Sequence, residues 1–172
     1  MRSVAAKAGV SPSLVVHHFA TKAGLRAAVD DAVLTAFATA MVSVDLTGGA
    51  EEVSRRLNDA VAGIIGADRA VRHYLGRSLF EATESSQRLF DALVDVVSLG
   101  LDSLEAAGLV RRGTDRKWRA HTVLFIILGP VMLSRQIEAR IGADAFDPAV
   151  VRARSACNID LLQRGLFTGK AN

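Results

Sequence analysis

The feature that most restricts the fold is the break Gly9-Val10-Ser11-Pro12 between two stretches rich in alanine and valine. Glycine accepts the left-handed backbone that closes a helix, so Gly9 ends a short helix that Ser3 can cap and in which Ala5 and Ala8 face inward. Ser11 followed by Pro12 is an N-cap with a first-turn proline, which opens a second helix. That helix is expected from Pro12 to about Phe19, with Leu14, Val15 and Phe19 for packing and Val10 pointing back into a small core. Thr21 caps a third helix. Two short helices joined by a tight turn are the geometry with which small domains place a second helix in the DNA major groove.

The remainder divides at capping signals into longer amphipathic helices. Lys22 to about Val44 carries Leu25, Val29, Val33, Phe37 and Met41 at three- and four-residue spacing, and Thr47-Gly48-Gly49 interrupts the chain. A helix over 51–65 follows. Asp68 caps one bearing Val71, Leu75, Leu79 and Ala82, and Ser86 caps one bearing Leu89, Leu93, Val97, Leu101 and Leu104. After a connector at 109–114, a helix over about 117–141 contains an eleven-residue apolar run, Val123 to Leu133. That run is too short to span a bilayer and must be covered all round by protein, with a kink at Pro130. Asp147-Pro148 starts the last helix. With few β-branched alternations, the expected class is all-α: a helix-turn-helix segment followed by a helical body.

Charge is distributed unevenly. Residues 1–30 carry four basic side chains against one acidic, residues 31–110 six against twelve, and residues 111–172 eleven against five. A basic start suits phosphate contact, an acidic middle does not, and the basic tail reads as a solvated face. The single cysteine, Cys157, excludes an internal disulfide framework and fits a reducing cytoplasm, as a buried, inert thiol. No secretory signal is visible, and the expected location is cytoplasmic, with no membrane partner. Catalytic constellations are absent: His17 and His18 point about 100° apart on a helix, and His73 and His121 have no metal-ligand spacing around them. No phosphate-binding glycine loop is present, so no enzyme activity, cofactor or metal is expected.

The run Val4-Ala5-Ala6-Lys7-Ala8-Gly9-Val10-Ser11, then His18-Phe19, then Thr21-Lys22 and Leu25, resembles the DNA-binding segment of the TetR family of transcriptional regulators. Val16 stands where that family often has a phosphate-touching tyrosine, and Ala23 replaces a frequent glutamate. The resemblance implies a DNA-binding domain with its linking helix over 1–45 and a ligand-binding, dimerising body over 46–172. It implies operator DNA, a small-molecule effector and a second copy of the chain as partners, and repression relieved by the effector. Ser11, Ser13, Leu14, His17 and Lys22 are the expected DNA contacts, with an apolar touch from Val16, whereas His18 and Phe19 pack. The last two helices are expected to form the dimer surface through Ile126, Leu128, Leu162 and Leu166.

Candidate effector contacts are the polar and aromatic groups on otherwise apolar helices: His73, Tyr74, Arg77, Phe80, Trp118, His121 and Phe125. Arg69, Arg72, His73 and Arg77 together read as a solvated face. An aliphatic or acyl-type ligand, with or without a carboxylate, is the expected chemistry. The family builds its DNA-reading domain from three helices, and the pair here corresponds to the second and third. The resemblance therefore implies a late start assignment or a truncation, and a weakly supported DNA-reading end. Two alternatives follow: a truncated chain that dimerises without binding an operator, or a helical protein that binds small ligands.

Overall fold

The computed structural model describes residues 1–81, 83–110 and 115–164, and every regular element among them is a helix. The order is α1 (Arg2–Ala8), α2 (Pro12–Phe19), α3 (Lys22–Val42), α4 (Ala50–Ala67), α5 (Arg69–Phe80), α6 (Glu84–Ala106), α7 (Arg116–Met132), α8 (Ser134–Ile141) and α9 (Pro148–Arg164). The chain forms two compact units, Met1–Ala36 and Phe37–Asn172, with the division inside α3. The expected division at 45/46 follows a helix end, and the boundary between the compact units lies inside α3.

In the first unit, Gly9 takes φ 67 and ψ 26, and the Val10 N–H donates to the Ala5 carbonyl at 3.0 Å, a Schellman closure of α1. Ser11 caps α2 through its hydroxyl, which accepts from the Leu14 N–H at 3.2 Å. Ala5 and Val15 are buried, whereas Ala8, Val10 and Leu14, expected inside, are exposed: two short helices offer only one narrow contact strip. Thr21 Oγ1 accepts from the Gly24 N–H at 3.0 Å and so caps α3. Ala20, between the helices, has φ 55 and ψ −57, and the Thr21 N–H closes on the Phe19 carbonyl at 2.6 Å, the strained form of γ-turn. This turn presses the Phe19 carbonyl against Gly24, where a methyl group would overlap it.

The body is organised around α6. Its inward positions, Leu89, Leu93, Val97, Leu101 and Leu104, are all buried, and α7 lies along them with Ala120, Leu124 and Leu128. Helix α5 packs on both, bringing Leu75 into the same core, and α4 packs on α5 and α9. Each fully buried leucine contributes about 1.5–3 kcal/mol relative to exposure. The cap of α6 is Thr83 rather than Ser86: the Thr83 hydroxyl accepts from the Ser86 N–H at 3.2 Å and Ser86 Oγ accepts from the Thr83 N–H at 2.8 Å. The two form a capping box, a pairing in which either hydroxyl resembles a cap from sequence alone.

The long helix expected over 117–141 is two helices, α7 and α8, set at 70° to one another. The break is at Leu133, three residues past Pro130, which stays inside α7 and buried. Within the single chain, Phe125 and Leu133 of the apolar run remain about half exposed. Among the described residues no single helix is long and apolar enough to cross a membrane. Ala82 and residues 111–114 of the connector lie outside the described residues.

Candidate functional site

Two places in the molecule gather side chains beyond the needs of packing. The first is the outer surface of α2. Because Ser11 and Pro12 fix where the helix begins, its 3.6-residue period turns Val15 inward and leaves Ser13, Leu14, Val16 and His17 exposed. Ser11 Oγ and Ser13 Oγ are 2.9 Å apart, so the first turn presents a hydroxyl pair on its exposed side. Lys22, at the first position of α3, is exposed as well. His18, expected to pack, is exposed and rests edgewise on His17 with ring centroids 5.6 Å apart; Phe19 is half-buried.

The second place is a cavity of about 620 Å³ in the body, within the range that accepts a small organic molecule. Its walls are apolar side chains of several helices, among them Leu57 and Val61 of α4, Leu101 of α6, Val123 and Ile127 of α7 and Ile159 of α9. Polar groups reach it at a few points. Arg119 (side chain 16% exposed) is held by Glu105 (13%) at 2.9 Å and Asp102 at 3.4 Å, so its charge is neutralised and it ties α7 to α6. Asp102 also bonds Arg116. Arg154 of α9 donates to the Ala145 carbonyl at 2.7 Å, and burial pushes its pKa below the ordinary guanidinium value. Glu51, Ser54, Asn58, Ser155, Asn158 and Gln163 also line it, and the buried Gln163 Nε2 has no hydrogen-bond partner among the described residues.

None of the seven expected effector residues lines this cavity. His73, Arg77 and Phe80 are exposed, Arg77 pairing with Glu81 at 3.1 Å, and Tyr74 is half-buried on α5. Trp118, His121 and Phe125 do come together, but as a stack on the outer side of α7. His121 sits 5.6 Å from Trp118, 6.2 Å from Phe125 and 5.8 Å from Phe90 of α6, and its Nδ1 donates to the Lys117 carbonyl at 2.7 Å. Spacing identified the shared face correctly; which way that face points is set by packing against α6. The residues missed are mostly small and aliphatic, and in sequence nothing separates a cavity wall from a core contact.

The expected dimer residues also redistribute. Leu128 is 2% exposed within the single chain's own core, and Ile126 lines the cavity. Leu162 lines the cavity and is half exposed, while Leu166 lies outside the described residues. Beside Leu162, the large apolar side chains that α7 and α9 leave uncovered are Trp118 (63% exposed), Phe125 (51%) and Leu161. Cys157 is exposed, not buried, because α9 turns its other side to the cavity. Arg72 is no solvated-face residue either: it donates to the Ile65 and Gly66 carbonyls at 2.7 and 2.6 Å and lies over the Phe146 ring.

Comparison with known proteins places this geometry. A family model, the tetracyclin repressor-like C-terminal domain, matches residues 67–168, more than half of the chain. The HTH-type transcriptional regulatory protein RaaS of Mycobacterium tuberculosis is 32% identical over 124 residues, 70% of this chain. The match spans 54% of that protein's length. The crystal structure of PfmR, a TetR family transcriptional regulator from Thermus thermophilus, superposes with a TM-score of 0.68 at 17% identity. It covers 97% of this chain and 88% of its own.

Proposed function

This chain belongs to the TetR family of transcriptional regulators, and on that premise we propose that it is an operator-binding repressor whose grip on DNA is released by a small molecule in the body cavity. The observation that carries the DNA-binding part is the exposed surface of α2. A helix started by a capped serine and a proline, with one buried valine, holds Ser13, Leu14, Val16 and His17 clear of its own core. Side chains at the start of such a helix reach base edges, while Ser11, His17 and Lys22 hold phosphates. The cavity supports the effector part. Its volume, apolar walls and few polar groups are those of a small-molecule site.

The functional unit is a homodimer in this reading, matching two-fold operators, with the pairing surface on α7 and α9. Trp118, Phe125, Leu161 and Leu162 are the uncovered apolar groups there.

Selection from a pool of random duplexes, followed by titration of the enriched sequence at several salt concentrations, tests the DNA-binding reading. Enrichment of a two-fold symmetric site is expected. Lys22→Ala should weaken binding to every sequence and lower the salt slope by about one. Failure to enrich any sequence would overturn operator binding. An unchanged slope would remove Lys22 from the phosphate contacts.

A further inference from the structure

We propose that the body cavity selects an amphipathic ligand with a single anionic head of the carboxylate type, seated at the corner formed by Arg154 and Phe146. This deepens the effector reading above and rests on it.

The argument begins with uncompensated charge. Arg154 lines the cavity and is part-buried, with its guanidinium 5.6 Å from the centroid of the Phe146 ring. Arg72 lies over the same ring at 4.4 Å, and the carbonyls that hold it, those of Ile65 and Gly66, belong to residues that also line the cavity. Among the described residues no carboxylate forms an ion pair with Arg72 or Arg154. Glu138, close by in the fold, accepts from the Ala145 N–H at 3.4 Å.

Two guanidiniums converging on one aromatic ring beside an apolar cavity therefore leave net positive charge at that corner. A desolvated cation without a counter-charge is costly, and that cost falls when a ligand supplies the anion. One of the five N–H donors of Arg154 is taken by Ala145, which leaves others for a carboxylate.

The other charges in the cavity give the ligand a direction. Arg119 is satisfied by Glu105 and Asp102 and offers no free charge. Glu51, in the first turn of α4, lines the cavity too, but it lies about 21 Å along the helix from Ile65. An anion is thus attracted to the Arg154 corner and repelled from the opposite end. The stretch between is walled by Leu57, Val61, Ile127 and Ile159 and suits an aliphatic body.

The test uses the neutral dye N-phenyl-1-naphthylamine as a reporter of the cavity, displaced in turn by decanoate, decanamide and decylammonium. Decanoate should displace the dye at a concentration about tenfold or more below decanamide, with decylammonium weakest. Arg154→Gln should erase that preference without reducing uptake of the neutral dye, and Arg154→Lys should keep part of it. Equal or reversed preference, or a preference that survives in Arg154→Gln, overturns the anionic head while the cavity reading stands. Exclusion of the dye from the native protein, or uptake undiminished by the cavity-filling Val61→Trp, overturns the cavity reading and the proposal with it. Should Arg154→Gln not fold, the ranking of the three probes by the native protein together with Arg154→Lys decides.

Discussion

The unit Met1–Ala36 and the body Phe37–Asn172 hold their helices by different means. The small unit relies on chain geometry: a left-handed glycine, a serine cap, a tight turn at Ala20 and a threonine cap follow one another within fifteen residues. Of α1 and α2 it buries only Ala5 and Val15. The body relies on volume, with leucines of α5, α6 and α7 filling a shared core. Where few apolar contacts exist, local hydrogen bonds and permitted φ values must define the shape, and single-atom changes at turns weigh most. Where a large core exists, turns are secondary and the cost of change is set by the cavity it creates.

The largest effect expected of this contrast is in the body. Leu93→Ala should lower stability by about 2–5 kcal/mol, read from urea denaturation, because the site is enclosed on all sides. A loss below about 1 kcal/mol would show that the body is not held by its core. In the small unit, Gly24→Ala puts a methyl group against the Phe19 carbonyl and should cost about 1–3 kcal/mol locally. Hydrogen exchange should speed up in residues 1–36 and stay unchanged around α6; a global change would break the distinction between the units.

Ser11→Ala removes the α2 cap and should cost about 1 kcal/mol, with Ser11→Gly milder, as measured by amide protection of Leu14 and Val15. Equal protection in all three proteins would show that Pro12 alone starts the helix.

The smallest effect is electrostatic and belongs to the turn after α3. The Thr47 N–H and hydroxyl donate to Asp45 at 2.9 and 2.7 Å and, with Arg56, hold its carboxyl below the ordinary aspartate range. A lowered folded-state pKa stabilises the fold above the unfolded value and loses that contribution as pH falls through the folded one. Thr47→Val removes one donor and should move the Asp45 titration upward toward pH 3.8, followed by carboxyl-carbon NMR. A titration unmoved by that change would assign the shift to the backbone donor and Arg56.

Much of the fold was legible because the signals were local. Gly9, Ser11-Pro12, Thr21, Asp68 and Asp147-Pro148 act through hydrogen bonds spanning two to five residues, so their roles follow from the order of residues along the chain. The buried face of α6 was legible for a related reason, since its three- and four-residue spacing is a property of one helix. The family resemblance lay in the same short stretch, residues 4–25, where turn chemistry dictates residue type.

What tertiary structure decided was which side of each helix faces what. Trp118, His121 and Phe125 share a face by spacing, but only the packing of α7 on α6 turns that face away from the cavity. Leu128 and Leu162 look alike as apolar helix residues, yet one is enclosed in the core and the other is half exposed. Arg72 and Arg154 stand 82 positions apart in the chain and meet over Phe146. A cavity is space left between helices that do not fill their shared volume. Periodicity records the faces of one helix at a time, so that space is set by how several helices pack together.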